Sequence, residues 1–294
     1  MVDKKSLVTG SRETAPHASL PLYALPENEA ARSAFWRAIC TELERQGIAD
    51  MPGALDFKRP TVPERIDPEM RFSQVCGYPL RKMFDGQATI LGAPVYDDEY
   101  CDGPTHTGAF VVHGDAPYNT LEDLRGCHFG AIARLSNSAM NLPRRAIAEI
   151  AGAGQFFGSI ADGSPAQSEN LVKVAEKRID ATCVDNMTFA FFAQSRPEVA
   201  RSLRILAVTS PSPSIPYVTS RDTGRETTEA MRRALRSVGA APEWEEVRTA
   251  MLLKAIVEID DGAYDKLLDR SAAPEAHHTA CPMMTLCTHT LPVR

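Results

Sequence analysis

Cys127-His128-Phe129-Gly130-Ala131-Ile132 runs into Ala133-Arg134-Leu135-Ser136-Asn137-Ser138-Ala139-Met140-Asn141-Leu142-Pro143, and then into Arg144-Arg145-Ala146-Ile147-Ala148-Glu149-Ile150. The first run is apolar and of strand length, while the last repeats its apolar residues at helical spacing. A strand that hands over to a helix is the building unit of α/β folds. The polar turn between them, Ser136 to Ser138, reads two ways. Ser and Asn at a helix start accept hydrogen bonds from N–H groups that have no partner inside the helix. The same N–H groups, with the positive end of the helix dipole behind them, also hold anions.

Working outward, the unit recurs. Upstream, Ser19 to Leu25 reads as a strand. Asn28 caps a helix through Gln46 that carries Ala31, Ala34, Phe35, Ala38, Ile39 and Leu43 on its apolar side. Leu55 to Phe57 is a short second strand, and residues 71–76 are a third, ending at Cys76-Gly77-Tyr78-Pro79 before the helical Leu80 to Phe84. Thr89 to Pro94 is a fourth. At Gly108 to His113 the pattern restarts, and strands over 129–132, 156–160 and 181–185 alternate with helices over 137–151, 169–177 and one ending at Gln194. Leu203 to Val208 and Ile215 to Val218 follow, and the C-terminal third reads as helical over 223–238, 242–255 and 262–270.

A β/α unit inserted within another, with the chain then returning, makes two lobes joined by two crossings. Ligands of open α/β sheets bind at the carboxyl ends of the strands. The expected fold is therefore α/β, a two-lobed clamshell with each lobe a mainly parallel sheet flanked by helices. Lobe one is read as residues 1–106 with 207–294, and lobe two as 107–206. The turns 23–26, 76–79, 136–138, 163–168 and 185–188 fall at the cleft.

The chain of 294 residues, 44% hydrophobic and 24% charged, is long enough for two lobes with their own cores. Its net charge is −6, and it has no Lys/Arg-dense stripe, which argues against nucleic acid and anionic membranes as partners and for a small molecule. Met1 to Gly10 carries two lysines without an apolar stretch behind them, and no run spans a bilayer. The expectation is a periplasmic protein if a leader has been removed and a cytoplasmic one otherwise. Seven cysteines are too few for a disulfide scaffold, and the odd count leaves one unpaired within the chain.

Arg71 to Leu80, Gly108 to His113, Thr120 to Gly130, the Ser136-Asn137-Ser138 turn, Ile179 to Phe189 and Ser212 to Thr219 together resemble the phosphate/phosphite/phosphonate substrate-binding proteins of ABC transporters, over roughly residues 18–220. The resemblance implies a type II periplasmic-binding-protein clamshell that closes on a small anionic or zwitterionic ligand, with an ABC-type permease as partner, a monomeric state and no cofactor. It also implies that phosphonate oxygens are held by a Ser-Thr-Ser-Gly turn. Here that turn is Ser136, Asn137, Ser138 and Ala139, where both hydroxyls survive and Asn137 still offers a donor. The family's Gly-Ser-His in the next turn is Gly163-Ser164-Pro165, without the His. An acidic residue matching Asp185 faces the amino group in phosphonate binders. The expected ligand residues are Tyr23, Gln74, Cys76, Gly77, Tyr78, Ser136, Asn137, Ser138, Ser164 and Asp185. For Cys76 and Cys101 two readings stand: the resemblance implies a bridge, since a Cys-Gly-Tyr-Pro cysteine accompanies another after the following strand in members of the family, and the plainer reading makes Cys76 a small buried hydrophobe and Cys101 a solvent-facing thiol.

Plainer readings stand beside these. Ser136 and Ser138 are also ordinary caps, Asp185 also caps the helix after it, and Gly77-Tyr78-Pro79 is also a tight turn. The run from His277 to His289 is dense in His, Cys and Met, but its spacing is irregular for a structural zinc site, and no metal is expected. An enzyme using Cys76 with His106 or His113 as base is the competing class, without any Gly-x-Ser-x-Gly, His-Glu-x-x-His or phosphate-loop motif to accompany it. A clamshell that senses ligand for a signalling partner is the other alternative. The expected function is capture of a small anion or zwitterion for transport, with no catalysis.

Overall fold

A computed structural model describes residues 15–131, 135–152, 155–161, 164 and 166–268. The His/Cys-rich run 277–289 lies outside these residues, as do Gly163 and Pro165. The chain opens with β1 (His17–Ala18), α1 (Glu29–Glu44), β2 (Met70–Gln74), α2 (Gly77–Lys82) and β3 (Ala88–Tyr96). It crosses through β4 (Thr105–His106) to β5 (Gly108–His113) and β6 (His128–Gly130). A π-turn at Asn137–Asn141 then runs into α3 (Leu142–Ala151), followed by β7 (Ser159–Ala161), α4 (Gln167–Ala175) and β8 (Ala181–Asp185). After α5 (Asn186–Ser195), α6 (Pro197–Ala200) and β9 (Leu203–Val208) it returns through β10 (Ser212–Pro213). The remainder is β11 (Tyr217–Ser220), α7 (Arg225–Ala240), α8 (Glu245–Ala250), β12 (Leu253–Val257) and a 3-10 stretch, Asp261–Leu268.

These strands form two five-stranded sheets, ordered β1-β2-β11-β3-β12 and β7-β6-β8-β5-β9, and β4 pairs with β10 where the two crossings meet. The sheets are mixed rather than mainly parallel. β1 with β2, β6 with β7 and β6 with β8 run parallel, while β11 opposes β2 and β3, β12 opposes β3, and β5 opposes β8 and β9. The crossings explain this. β5 and β11 each receive the chain from the other sheet at the cleft end, Gly108 opposite Asp185 and Tyr217 opposite Gln74, and so run back against their neighbours.

Three segments depart from the sequence reading. The strand expected over Ser19 to Leu25 stops at β1, because after the Ser19 N–H bonds Phe72 the chain meets Pro21, which has no donor, and Tyr23 at φ 57° turns it away. Leu55 makes an isolated bridge to Ala18 instead of a strand. The helix expected over 242–255 ends at α8. Leu252, at φ 50°, closes it, and β12 then takes the edge beside β3 with Leu253 and Ile256 inward and Lys254 outward. Aromatic stacks anchor both cores, Trp36 on Phe72 on Tyr217 in one and Phe129 on Phe157 at 4.2 Å in the other.

Candidate ligand-binding site

A cavity of ≈ 160 Å³ lies where the carboxyl ends of the two sheets face each other. On one side it is walled by Pro21 to Leu25, by Thr61 and Val62, by Cys76 at the head of α2, and by Ile215. On the other stand Ser136 and Ser138, Gln167 and Ser168 at the start of α4, Asp185 at the end of β8, and Thr188 on α5. The walls follow from β/α alternation: each strand end delivers a turn whose first helical N–H groups have no partner within the helix.

The Ser turn is built to stay open. Ser136 Oγ accepts the Ala139 N–H at 3.1 Å, and the next donors reach back five residues, Asn141 N to Ser136 O at 3.2 Å. Pro143 follows at the head of α3 and has no N–H of its own to place. Gly108 lets this turn approach β5, since a Cβ there would stand 2.5 Å from Ser138 O. Asn137 is buried with Nδ2 donating to Ser212 Oγ at 2.8 Å, which ties the turn to β10.

Asp185 is buried at 1% exposure and is the one charged side chain among the described lining residues. Its Oδ1 accepts the Met187 N–H at 3.0 Å, capping α5, and its Oδ2 lies 2.5 Å from His106 Nδ1. Tyr23 comes from the opposite wall. Its ring meets Tyr96 edge-on at 5.9 Å and Phe191 at 5.7 Å, and its hydroxyl is buried within reach of the Asp185 carboxylate but without a hydrogen bond of good geometry. Burial first, and the Asp185 charge second, hold the Tyr23 phenol well above its usual range, so it stays a neutral donor. Burial likewise pushes the Cys76 thiol up to about 11, against the pull of the Asn137 and Tyr78 N–H groups.

Of the residues expected from sequence, Tyr23, Cys76, Ser136, Ser138 and Asp185 meet at this cavity. The others point elsewhere. Gln74 Nε2 donates to Ile215 O at 3.3 Å, and Gly77 abuts Tyr264 and Leu267, where a Cβ would stand 2.7 Å from each. Tyr78 packs on the cluster around Val75, Leu80 and Tyr264. Ser164 Oγ is bonded to Asn170 and accepts from Lys173 Nζ at 2.6 Å. The Cys76–Cys101 bridge does not form: both are free thiols, and Cys101 Sγ instead sits 3.2 Å from Asn186 Nδ2 and 3.9 Å from Met187 Sδ. Thr61, Val62 and the placement of His106 against Asp185 were not legible in the sequence. The first two lie in an irregular loop without periodicity, and the last is a contact across 79 residues.

The family model described as "ABC transporter, phosphonate, periplasmic substrate-binding protein" matches residues 72–264. Among solved structures, a binding protein component of an ABC phosphonate transporter from Pseudomonas aeruginosa aligns with TM-score 0.66 and 15% identity, over 86% of this chain and 83% of that one. A Xanthomonas citri protein bound to ATP aligns with TM-score 0.57 and 15% identity, over 86% and 98%. PhnD1 from Prochlorococcus marinus in complex with methylphosphonate aligns with TM-score 0.55 and 12% identity, over 79% and 80%. At these identities the likeness is one of fold. A search among curated proteins finds no match.

Proposed function

Because the chain belongs to the family of periplasmic substrate-binding proteins of phosphonate ABC transporters, we propose that it captures a short phosphonate bearing an amino group in the cavity between its two sheets. It is a solute-binding protein. The observation that carries it is the Tyr23 hydroxyl, buried beside Asp185 without a well-formed hydrogen bond. Such a group costs stability until something completes it, and a ligand oxygen does so.

The anionic end of the ligand is assigned to Tyr23, Ser136 and Ser138. Neutral hydroxyls and helix-terminal N–H groups hold an oxyanion without a counter-cation. The cationic end is assigned to Asp185, whose oxygens each keep a free lone pair after the bonds from Met187 and His106. The small cavity favours a two- or three-carbon compound. Cys76 is a wall residue in this reading, since a thiol held protonated is a poor nucleophile and no catalytic step is assigned to it.

The lobes are proposed as residues 1–106 with 207–294 and residues 107–206, a division that sheet membership supports except at β9, whose Ala207 and Val208 pair with Phe110 and Ala109 of the second sheet. A monomer in the periplasm that delivers to an ABC-type permease completes the proposal. No described helix is long and apolar enough to cross a membrane. Thermal shift with 2-aminoethylphosphonate, methylphosphonate, phosphate, glycine and β-alanine tests the ligand. The aminophosphonate should raise the melting temperature most, at about 2.7 kcal/mol for a ligand at a hundred times its Kd. A shift with the amino acids and none with either phosphonate would overturn the reading.

A further inference from the structure

We propose that His106 decides which ligand charge the site accepts, because occupation of the ground beside Asp185 is coupled to proton exchange on His106. The inference rests on the cavity being the ligand site. His106 and Asp185 are each 1% exposed and joined at 2.5 Å. His106 belongs to β4, in register with Ser212 of β10, so it sits in the ladder formed by the two crossings rather than in either large sheet. The next residue fastens it there. Thr107 N donates to Asn186 Oδ1 at 2.9 Å, and Asn186 N donates to Thr107 O at 3.0 Å. His106 is thereby held against Asp185.

The pair has two charge states, net neutral when His106 is protonated and net −1 when it is not. The other titratable groups around it do not blur this. Tyr23 from the loop after β1, Tyr96 from β3, Cys76 from the head of α2, Cys183 from β8 and Cys101 from the segment before β4 are all pushed upward, chiefly by burial, and stay neutral. Two further charges, Asp98 and Lys254, act on Cys101. In a site removed from water the sign of the floor charge decides which ligand charge is tolerated. An ammonium beside Asp185 favours neutral His106, and a ligand carrying only negative charge favours protonated His106.

Opposite proton linkages follow. An aminophosphonate expels the proton from His106, so its affinity rises with pH by up to ~tenfold per unit across the range in which that proton is exchanged. Methylphosphonate binds with proton uptake at the same residue, and its affinity falls as pH rises.

Calorimetry of 2-aminoethylphosphonate and of methylphosphonate, each in two buffers of different ionisation enthalpy, reads the protons exchanged. His106→Gln keeps a donor and cannot titrate, so the difference between the native protein and the variant removes the ligand's own ionisation. The expected difference is release for the first probe and uptake for the second. Because a buried variant can misfold, 15N NMR of the imidazole in the native protein gives the second readout: saturation with the aminophosphonate should convert His106 to its neutral form. Equal proton counts in native protein and variant, or an imidazole whose protonation ignores the ligand, would overturn the role of His106 and leave the phosphonate reading standing. If neither probe binds, the phosphonate reading falls and this inference falls with it.

Discussion

A buried hydroxyl without a well-formed hydrogen bond costs about 1–3 kcal/mol, and the Tyr23 Oη is such a group. Tyr23→Phe should therefore leave the ligand-free protein as stable as before or more so, while weakening aminophosphonate binding about tenfold or more, at charge-assisted hydrogen-bond strength. Denaturation midpoints and calorimetry on the same sample separate the two effects; a loss of both stability and affinity would make Tyr23 a packing residue. Ser136 and Ser138 divide differently. Ser136 Oγ caps the turn by accepting from Ala139 N and its O–H remains available to a ligand, so Ser136→Ala should cost about 1 kcal/mol of stability and weaken binding as well. Ser138 lines the cavity, and Ser138→Ala should cost roughly 1.5–3 kcal/mol of binding to a charged group with little change in melting temperature. Unchanged affinity in Ser138→Ala would remove that hydroxyl from the site.

At the scale of elements, the site depends on close approach more than on any one donor. Gly108 opens β5 where a Cβ would stand 2.5 Å from the Ser138 carbonyl and 3.1 Å from Cys183 Sγ and Thr209 Cγ2. Backbone cannot yield as a side-chain tip does, so Gly108→Ala should destabilise the fold by about 1–3 kcal/mol and shift the Ser turn enough to lower affinity as well. Full affinity in a stably folded Gly108→Ala protein would show that the turn does not need that contact. The alternation that makes these elements was readable from periodicity, and α1, β5, β8 and α7 stand within a few residues of where spacing puts them. What escaped was set by distant partners. β12 is apolar enough for a helix but lies where β3 offers an unpaired edge. The Ser-Asn-Ser turn is a π-turn only because Ser136 O, Asn137 O and Pro143 leave the wider bonding in place. Gln74 and Ser164 resemble ligand donors by position, yet each is spent on Ile215 or Asn170, a pairing that no local pattern encodes.

At the scale of the whole molecule, several contacts besides the β4–β10 ladder join the cavity walls, among them Asn186 Nδ2 donating to Asp98 Oδ1 at 2.8 Å and an apolar cluster that holds Leu25 and Tyr96 together with Met187 and Phe191. Phe191 of α5 meets Tyr23 at 5.7 Å and Tyr96 at 6.4 Å, and Arg196 pairs with Glu27 at 2.7 Å. Both charged partners are near one-third exposed, and an exposed pair of this kind contributes at most about 1 kcal/mol after screening. The aromatic edge adds a comparable amount. A ligand that touches Tyr23 from one wall and Asp185 from the other should select the closed form over any open one. Small-angle scattering should therefore show a smaller radius of gyration with saturating 2-aminoethylphosphonate than without. Glu27→Gln removes one latch without touching the cavity, so it should weaken affinity no more than about fivefold, raise the ligand-free radius, and leave the ligand-bound radius as in the native protein. The two radii test the argument from opposite ends. Identical profiles with and without ligand would mean a rigid cavity, and a bound Glu27→Gln form as open as its free form would mean that the latch, rather than the ligand, closes the molecule.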